Sequence, residues 1–204
     1  IQPELWLTAG DMTIGVYAHE LGHAFGLPDL YDIDNSSSGI GTWGIMAYGS
    51  WNGPGGMGGS PAHPSAWSRI QMGFATATNV LTNTDGQAIP AFETEGETFR
   101  LWTAGAAGNE YFLLENRQKT GYDAYLRGSG LLIWHIDDSK ATVNNTDNSQ
   151  EWYPGLPAAA HYRVALEQAD GLWEMEHGLD YGDANDVFPG GLNRRTFDAL
   201  TTPN

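Results

Sequence analysis

The chain contains no cysteine among its 204 residues. This absence excludes a disulfide-stapled scaffold and every zinc or iron site that depends on thiolate ligands. A metal site in this chain must therefore use histidine, aspartate, glutamate or backbone oxygen. The sequence also lacks an apolar run near the roughly 18 residues that a membrane-spanning helix needs, so no membrane span is expected.

Basic residues are scarce as well. Nine Lys and Arg face 25 Asp and Glu, which gives a formal net charge of −16. An acidic surface repels phosphate backbones and anionic lipids, so neither nucleic acid nor a membrane surface is an expected partner, whereas cations are. The hydrophobic fraction of 41% and the eight Trp, nine Tyr and seven Phe are too high for a disordered acidic chain, so most of the sequence should fold.

The best-defined helix is predicted over DMTIGVYAHELGHAFG, residues 11–26. Apolar residues recur there at spacings of four, three and four, which is the pattern of one helical face: Ile14, Ala18, Leu21 and Phe25. We expect this face to pack into the core. Asp11 or Thr13 can cap the start of the helix, and Gly26 before Leu27 and Pro28 should end it.

The remaining elements are predicted from shorter patterns. A second helix is expected in PSAWSRIQMG, with Pro64 in its first turn and Gly73 closing it. Between the two helices lies a segment rich in Gly, Ser, Asn and Pro, which predicts a long irregular loop. Four runs with β-branched and aromatic residues predict strands further on: TFRLW, EYFLLENR, GLLIWHID and YRVALEQ.

The chemistry is concentrated on the first helix, in the pattern H-E-x-x-H formed by His19, Glu20 and His23. Residues four apart lie one turn apart on the same helical face, so both imidazoles can bind one ion at about 2.0–2.1 Å. Glu20 lies beside that face, where it can contact a metal-bound water and not the metal itself. Two histidines that merely cap or pack the helix are the alternative.

The pattern extends to Gly26 and Asp29 as H-E-x-x-H-x-x-G-x-x-D. A glycine at that position permits the sharp turn that returns the chain toward the metal, which makes Asp29 the predicted third ligand. Asp32 is a possible substitute. Three protein ligands leave a fourth position open for water, as in a catalytic zinc site.

The sequence HELGHAFGLPDLYD followed by GTWGIMAYGSWNG resembles the metzincin clan of zinc endopeptidases, and within it the secreted bacterial immune inhibitor A metalloproteases. The later segments YFLLENRQ, GLLIWHID, VALEQADG and GDANDVFPG are also similar to that family. The resemblance implies an α+β fold in which Met46 forms the Met-containing turn beneath the metal.

The resemblance also implies how the chain is organised. Residues 1–90 should form the zinc-binding portion of the catalytic domain, and residues 91–204 a β-rich C-terminal portion or attached subdomain. The clan places most of its upper sheet before the metal-binding helix. Because this sequence starts 18 residues before His19, we expect a catalytic domain truncated at its N-terminus.

The activity implied by the resemblance is secreted, zinc-dependent hydrolysis of peptide bonds in proteins or peptides. Zinc lowers the pKa of a bound water to about 7, and Glu20 would accept its proton and later donate it to the leaving amine. Tyr48 resembles the clan's tyrosine that hydrogen-bonds the tetrahedral intermediate. An ordinary buried aromatic residue is the alternative for Tyr48.

Acidic turns predict calcium as a second metal. Clustered oxygen ligands on Gly-containing turns occur in two segments, with Asp180, Asp183, Asn185 and Asp186 in one and Asp32 and Asp34 in the other. Solvated turn acids are an equally good explanation.

Two other functional classes fit parts of the sequence. The chain could be a catalytically weak or inactive metal-binding relative that acts as an adhesion module. Alternatively, its second half could bind carbohydrate through exposed tryptophans such as Trp152 and Trp173. Glu20 argues against the adhesion module, and tryptophans of this kind are more often core or rim residues than carbohydrate-binding ones. The oligomeric state is open.

Overall fold

The computed structural model describes residues 13–103, 105–140, 151–157 and 161–203. The first helix, α1, spans Ile14–Ala24, and two shorter helices follow, α2 at Ala66–Gln71 and α3 at Phe92–Glu95. Thr13 is the residue before α1, whereas Asp11 lies outside the described residues. None of the helices in the described ranges is long and apolar enough to cross a bilayer.

The prediction that α1 and α2 each end at a glycine is confirmed. Gly26 has a φ of 87° and Gly73 a φ of 75°, the left-handed conformation that glycine adopts without strain. At the end of α1, the N–H of Leu27 donates to the carbonyl of Gly22 and the N–H of Gly26 to that of His23, which is a Schellman motif. The start of α2 differs slightly from the prediction, because Ser65 caps the helix and Pro64 precedes it.

Within the described residues, five strands form one mixed sheet in sequence order. Strand β1 pairs in parallel with β2, and the other neighbours pair in antiparallel fashion. The strands are β1 at Ala77–Val80, β2 at Thr98–Trp102, β3 at Glu110–Arg117, β4 at Gly130–Asp137 and β5 at Val164–Leu166. The predicted strands are confirmed, although β5 is shorter than YRVALEQ, and β1 was missed.

Helices and this sheet agree with the predicted α+β class. The long segment between α1 and α2 contains three short 3-10 turns, at Gly41–Trp43, Tyr48–Trp51 and Pro54–Gly56. Most of residues 37–50 are buried, so this irregular segment forms part of the core. The metzincin arrangement itself stays a prediction.

One buried apolar cluster joins the two halves of the chain. It contains Leu27 and Met46 from the helical part together with Leu113, Trp134 and Val164 from the sheet. The boundary near residue 90 separates two sequence patterns, and packing continues across it. The division at residue 90 stays a prediction.

The predicted orientation of α1 is wrong. Ile14, Leu21 and Phe25 are 48%, 57% and 49% exposed, so the apolar face does not pack into the core of the described residues. Only Ala18 of that face is partly buried against the core. The exposed face lines an open apolar groove together with Ile45, Pro61 and Phe74.

Glycines determine which side of α1 is buried. Gly15 and Gly22 are the buried residues of the helix. A Cβ atom added at Gly15 would lie 1.9 Å from the carbonyl oxygen of Ser50, and one at Gly22 would lie 2.4 Å from Sδ of Met46. These contacts are possible only without side chains, so the glycine side of α1 packs against the irregular segment.

A fully buried ion network ties the sheet to that segment. The guanidinium of Arg117 donates to Asp123 at 2.6 and 2.8 Å and to Glu115 at 3.3 Å. Glu115 also accepts from Trp134 Nε1 at 2.8 Å and from Arg69 at 2.7 Å. Buried charges are tolerated where each has partners of opposite charge, as these do.

Glu167, just after β5, should make stability depend on pH. Burial raises the pKa of its carboxyl to about 8 from 4.5. Between these values the folded state keeps a proton that the unfolded state has lost, so the free energy of unfolding falls as the pH rises. We expect Glu167→Gln to raise the melting temperature at pH 8.5 by roughly 4–8 °C and to change it little at pH 4.5.

Thermal unfolding between pH 4.5 and 8.5 measures this difference. Glu97→Gln is the matched control, because Glu97 is exposed and its substitution should shift the melting temperature by a small amount at every pH. Parallel curves for wild type and Glu167→Gln would refute the assignment.

Candidate metal centre

The two histidines of α1 are held by backbone carbonyls. Nδ1 of His19 lies 2.8 Å from the carbonyl oxygen of Ile45, and Nδ1 of His23 lies 2.8 Å from that of Leu27. Because a carbonyl oxygen only accepts, each Nδ1 must carry the hydrogen. In the neutral imidazole this leaves Nε2 with a free lone pair, which is the form that binds a metal.

Asp29 completes the cluster because the chain turns sharply after α1. The left-handed Gly26 reverses the chain, and the next three residues bring Asp29 back beside the helix. Its Oδ1 lies 3.0 Å from Nε2 of His19 and 3.2 Å from Nε2 of His23. Asp29 is the predicted third ligand, and the structure brings it together with both histidines.

These three atoms fit a metal ion. Ligand atoms at about 2.0–2.1 Å in a tetrahedral site lie roughly 3.3 Å apart, close to the distances from Asp29 to the two imidazoles. Asp29 Oδ1 is buried and has no well-aligned hydrogen bond among the described residues. Lone pairs of two imidazoles and a carboxylate repel one another unless a positive charge lies between them.

When no cation is bound, a proton can supply that positive charge, and the pKa values of His19 and Asp29 are shifted in the corresponding directions. Burial lowers the pKa of His19, but its contacts with Asp29 and the carbonyl of Ile45 outweigh burial and raise it above its ordinary value. Burial raises the pKa of Asp29, but the pairing with His19 and the charge of His23 lower it overall. A bound cation would replace this proton.

Glu20 follows His19 on α1 and is close enough to the cluster to influence it electrostatically. It is exposed on α1, next to His19, and its negative charge contributes to the raised pKa values of His19 and Tyr31. A carboxylate in this position is accessible to water and to a substrate.

Two tyrosines lie along the cluster, and the sequence pointed to only one of them. The ring of Tyr31 stacks on that of His19, with 6.3 Å between the ring centroids, and its hydroxyl hydrogen-bonds the carboxylate of Asp29. Tyr48, the tyrosine predicted from the sequence, packs against Tyr31 and not against His19. Its ring centroid lies 6.0 Å from that of Tyr31 and 4.2 Å from that of Tyr181. Burial is the largest cause that raises the pKa of both Tyr31 and Tyr48, so both remain donors at neutral pH.

Met46 lies beneath the helix that carries the histidines. It is 1% exposed, and its sulfur faces Gly22, which lies between His19 and His23 in the sequence. Its carbonyl accepts from the N–H of Leu30 at 2.7 Å, which fixes the segment after Asp29. Met46 therefore packs as a hydrophobic floor under the cluster.

Asp32 does not join the histidines. Its oxygens accept from Ser36 Oγ at 2.7 Å and from the N–H groups of Asp34 and Ser37 at 3.0 and 2.9 Å. Asp32 and Asp34 instead lie near Glu151, whose Oε1 is an alternative acceptor for the single hydroxyl hydrogen of Ser36. These hydrogen bonds satisfy the Asp32 carboxylate without a cation.

In the second segment predicted to bind calcium, the acids that lie together are not the set expected from the sequence. Asp183 and Asp186 lie together with Asp170, which the sequence patterns did not single out. Asp180 lies with Asp183 and Glu174. Asn185 donates to Asp183 from Nδ2 at 3.4 Å and from its backbone N–H at 2.5 Å.

Trp152 and Trp173, the candidates for carbohydrate binding, are both half-buried. Their rings contact each other edge to face at 6.2 Å. They pack against each other at the surface and do not present two open ring faces side by side.

Known proteins resemble the part of the chain that contains the cluster. Residues 4–76 match the family described as immune inhibitor A peptidase M6, catalytic domain. Over 62 residues the chain is 44% identical to the pre-pro-metalloprotease PrtV of Vibrio cholerae, and over 55 residues it is 46% identical to immune inhibitor A of Bacillus thuringiensis subsp. alesti.

These alignments cover 29% and 26% of this chain and 6% and 7% of the two relatives. The chain thus matches only a small part of each relative's length. The resemblance predicted from the sequence is confirmed, because residues 4–76 are similar to the catalytic domain of the immune inhibitor A peptidases.

Proposed function

We propose that the chain forms the metal centre of a zinc-dependent endopeptidase that hydrolyses peptide bonds in proteins or peptides. The observation that carries the proposal is the convergence of His19 Nε2, His23 Nε2 and Asp29 Oδ1, with both imidazoles fixed in the metal-binding tautomer. The ligand set of two nitrogens and one oxygen suits zinc and leaves a position open. When bound, zinc supplies activation of water and polarisation of the scissile carbonyl.

Glu20 would act as the general base. Its exposed carboxylate on α1 can accept a proton from the attacking water and then donate it to the leaving amine. Tyr48 would donate a hydrogen bond to the oxyanion of the tetrahedral intermediate, because its raised pKa keeps the phenol protonated. Tyr31 would orient the Asp29 carboxylate.

The two tyrosines can be separated by experiment. We expect Tyr48→Phe to lower kcat by about 10²-fold with little change in zinc affinity, because it removes an oxyanion donor. Tyr31→Phe should instead weaken zinc binding by about 10-fold or more, because it removes the partner of a ligand. Zinc titration with a competing chelator and steady-state kinetics measure both quantities, and the reverse pattern would contradict the two roles.

Casein hydrolysis by the 204-residue chain tests the proposed activity. We expect zinc-loaded protein to cleave casein, a chelator to abolish cleavage, and added zinc to restore it. A folded, zinc-loaded chain that binds casein or polysaccharide without cleaving the protein would instead support the binding-module alternative.

Residues 1–90 would supply the metal site and strand β1, and residues 91–204 the other four strands of the sheet, which supports the site through the Arg117 network. Secretion is part of the same proposal and rests on the resemblance to the immune inhibitor A family.

A further inference from the structure

A groove opens beside Tyr48, the residue proposed to stabilise the oxyanion. Its volume is about 370 Å³, which is in the range of sites that bind small ligands. Aromatic side chains form much of its lining, and three of them are about half exposed: Trp51, Tyr125 and Tyr181, at 45%, 47% and 49%. Exposed rings suit contact with a ligand. This Tyr48 groove is separate from the apolar groove along α1.

The charge in the Tyr48 groove comes from one side chain. Among the described residues that line it, only Arg127 is charged. Arg127 is exposed, and it makes no hydrogen bond, ion pair or ring contact with another residue in the described ranges. The guanidinium is therefore unpaired although the chain contains 25 Asp and Glu. Its N–H donors are free for a planar anion, and a carboxylate is the planar anion that a peptide offers.

The backbone on either side of Arg127 is fixed by packing. Leu126 is 1% exposed, and its N–H donates to the carbonyl of Asp123 at 2.9 Å. Asp123 itself belongs to the buried ion network. A Cβ atom added at Gly128 would lie 3.3 Å from Cα of Ala184, so the chain on that side packs closely against the segment after β5. The guanidinium therefore projects from a fixed segment, which lowers the conformational entropy lost on binding.

The Tyr48 groove lies close to the metal cluster. The ring centroid of Tyr31 is 6.3 Å from that of His19 and 6.0 Å from that of Tyr48. An extended peptide advances by about 3.3–3.6 Å per residue. A substrate whose scissile bond lies at the metal centre would therefore reach the groove within a few residues of that bond.

We propose that Arg127 binds a carboxylate of the substrate close to the scissile bond and so gives the site a preference for acidic substrates. The inference rests on the proposed function, because it treats the Tyr48 groove as part of the substrate cleft. A guanidinium and a carboxylate can form two parallel hydrogen bonds. The aromatic walls would exclude water from part of this pair and so strengthen it. Two sources supply such a carboxylate: an Asp or Glu side chain and the free C-terminus of a peptide.

Cleavage of matched peptides measures the preference. Each fluorogenic peptide has an amidated C-terminus and carries either Glu or Gln at one of the positions that flank the scissile bond. We expect kcat/KM to be about 10-fold higher with Glu than with Gln at one of these positions, and we expect Arg127→Met to reduce this ratio to below about 2. A Gln peptide with a free C-terminus tests the other source. If it is preferred over its amidated form, and only while Arg127 is present, the carboxylate is that of the chain end.

Three further variants show whether the effect is local. Arg127→Lys should keep only part of the preference, because lysine retains the charge but not the planar pair of donors. Arg127→Glu should reverse the preference, so that a Lys peptide is cleaved faster than the Glu peptide. Arg195→Met is the matched control. Arg195 is exposed and lines a separate groove, so removing its charge should leave the wild-type ratio unchanged.

Binding separates this inference from the proposed function. In the zinc-loaded Glu20→Gln variant, fluorescence anisotropy should show that the uncleaved Glu peptide binds about 10-fold more tightly than the Gln peptide. Adding Arg127→Met should remove the difference. If the ratio of Glu to Gln peptides were the same with and without Arg127, in cleavage and in binding, the role of Arg127 would be wrong. If the chain bound the Glu peptide preferentially but cleaved no peptide, only the proposed function would be contradicted.

Discussion

Glu20→Gln should lower kcat for peptide hydrolysis by about 10²- to 10⁴-fold without loss of zinc, because the amide keeps the size of the side chain but cannot accept a proton. The exposed position of Glu20 on α1 makes a large effect on folding unexpected. Kinetics with a fluorogenic peptide and zinc content from the same preparation measure the two quantities together.

Glu95→Gln is the control for this variant. Glu95 is exposed on α3, away from the histidine cluster, so its substitution should leave kcat within a factor of two. If Glu20→Gln kept wild-type kcat with full zinc occupancy, another group would have to be the base. If it lost zinc, Glu20 would be supporting the metal site and not the chemistry.

Arg117→Met should cost about 3–5 kcal/mol of unfolding free energy. The guanidinium is fully buried and binds both Asp123 and Glu115, so its removal leaves two buried carboxylates with too few partners. It also contacts the carbonyl oxygens of Trp43 and His63 at 3.4 and 3.5 Å, in the segment that supports the metal centre. Urea unfolding measures the loss.

Arg127→Met provides the comparison. Arg127 is exposed, so the same change in charge and size should alter the free energy of unfolding by less than about 0.5 kcal/mol. A loss below about 1 kcal/mol in Arg117→Met would mean that the carboxylates find other partners, and the proposed link between sheet and site would be wrong.

The metal cluster could be predicted because its determinants are local. His19 and His23 share one helical face, and Gly26 ends the helix ten residues or fewer from all three ligands, so the spacing in the sequence translates directly into geometry. The strands could be predicted for the same reason, since their apolar and aromatic patterns extend over five to eight consecutive residues.

Features that depend on distant pairing could not be predicted. The apolar face of α1 was expected inside, but Gly15 and Gly22 permit a closer approach on another side, against residues far along the chain. The contact of Asp170 with Asp183 and Asp186, and that of Tyr31 with Asp29, likewise depend on tertiary folding. The pattern of residue types along the sequence does not show which distant residues will be in contact.

Anomalous scattering at the zinc edge, from crystals of the zinc-loaded chain, tests the central claim most directly. We expect one zinc ion per chain, about 2.0–2.2 Å from His19 Nε2, His23 Nε2 and a carboxylate oxygen of Asp29. Zinc found elsewhere, or absent from between the two imidazoles in zinc-saturated crystals, would contradict the account.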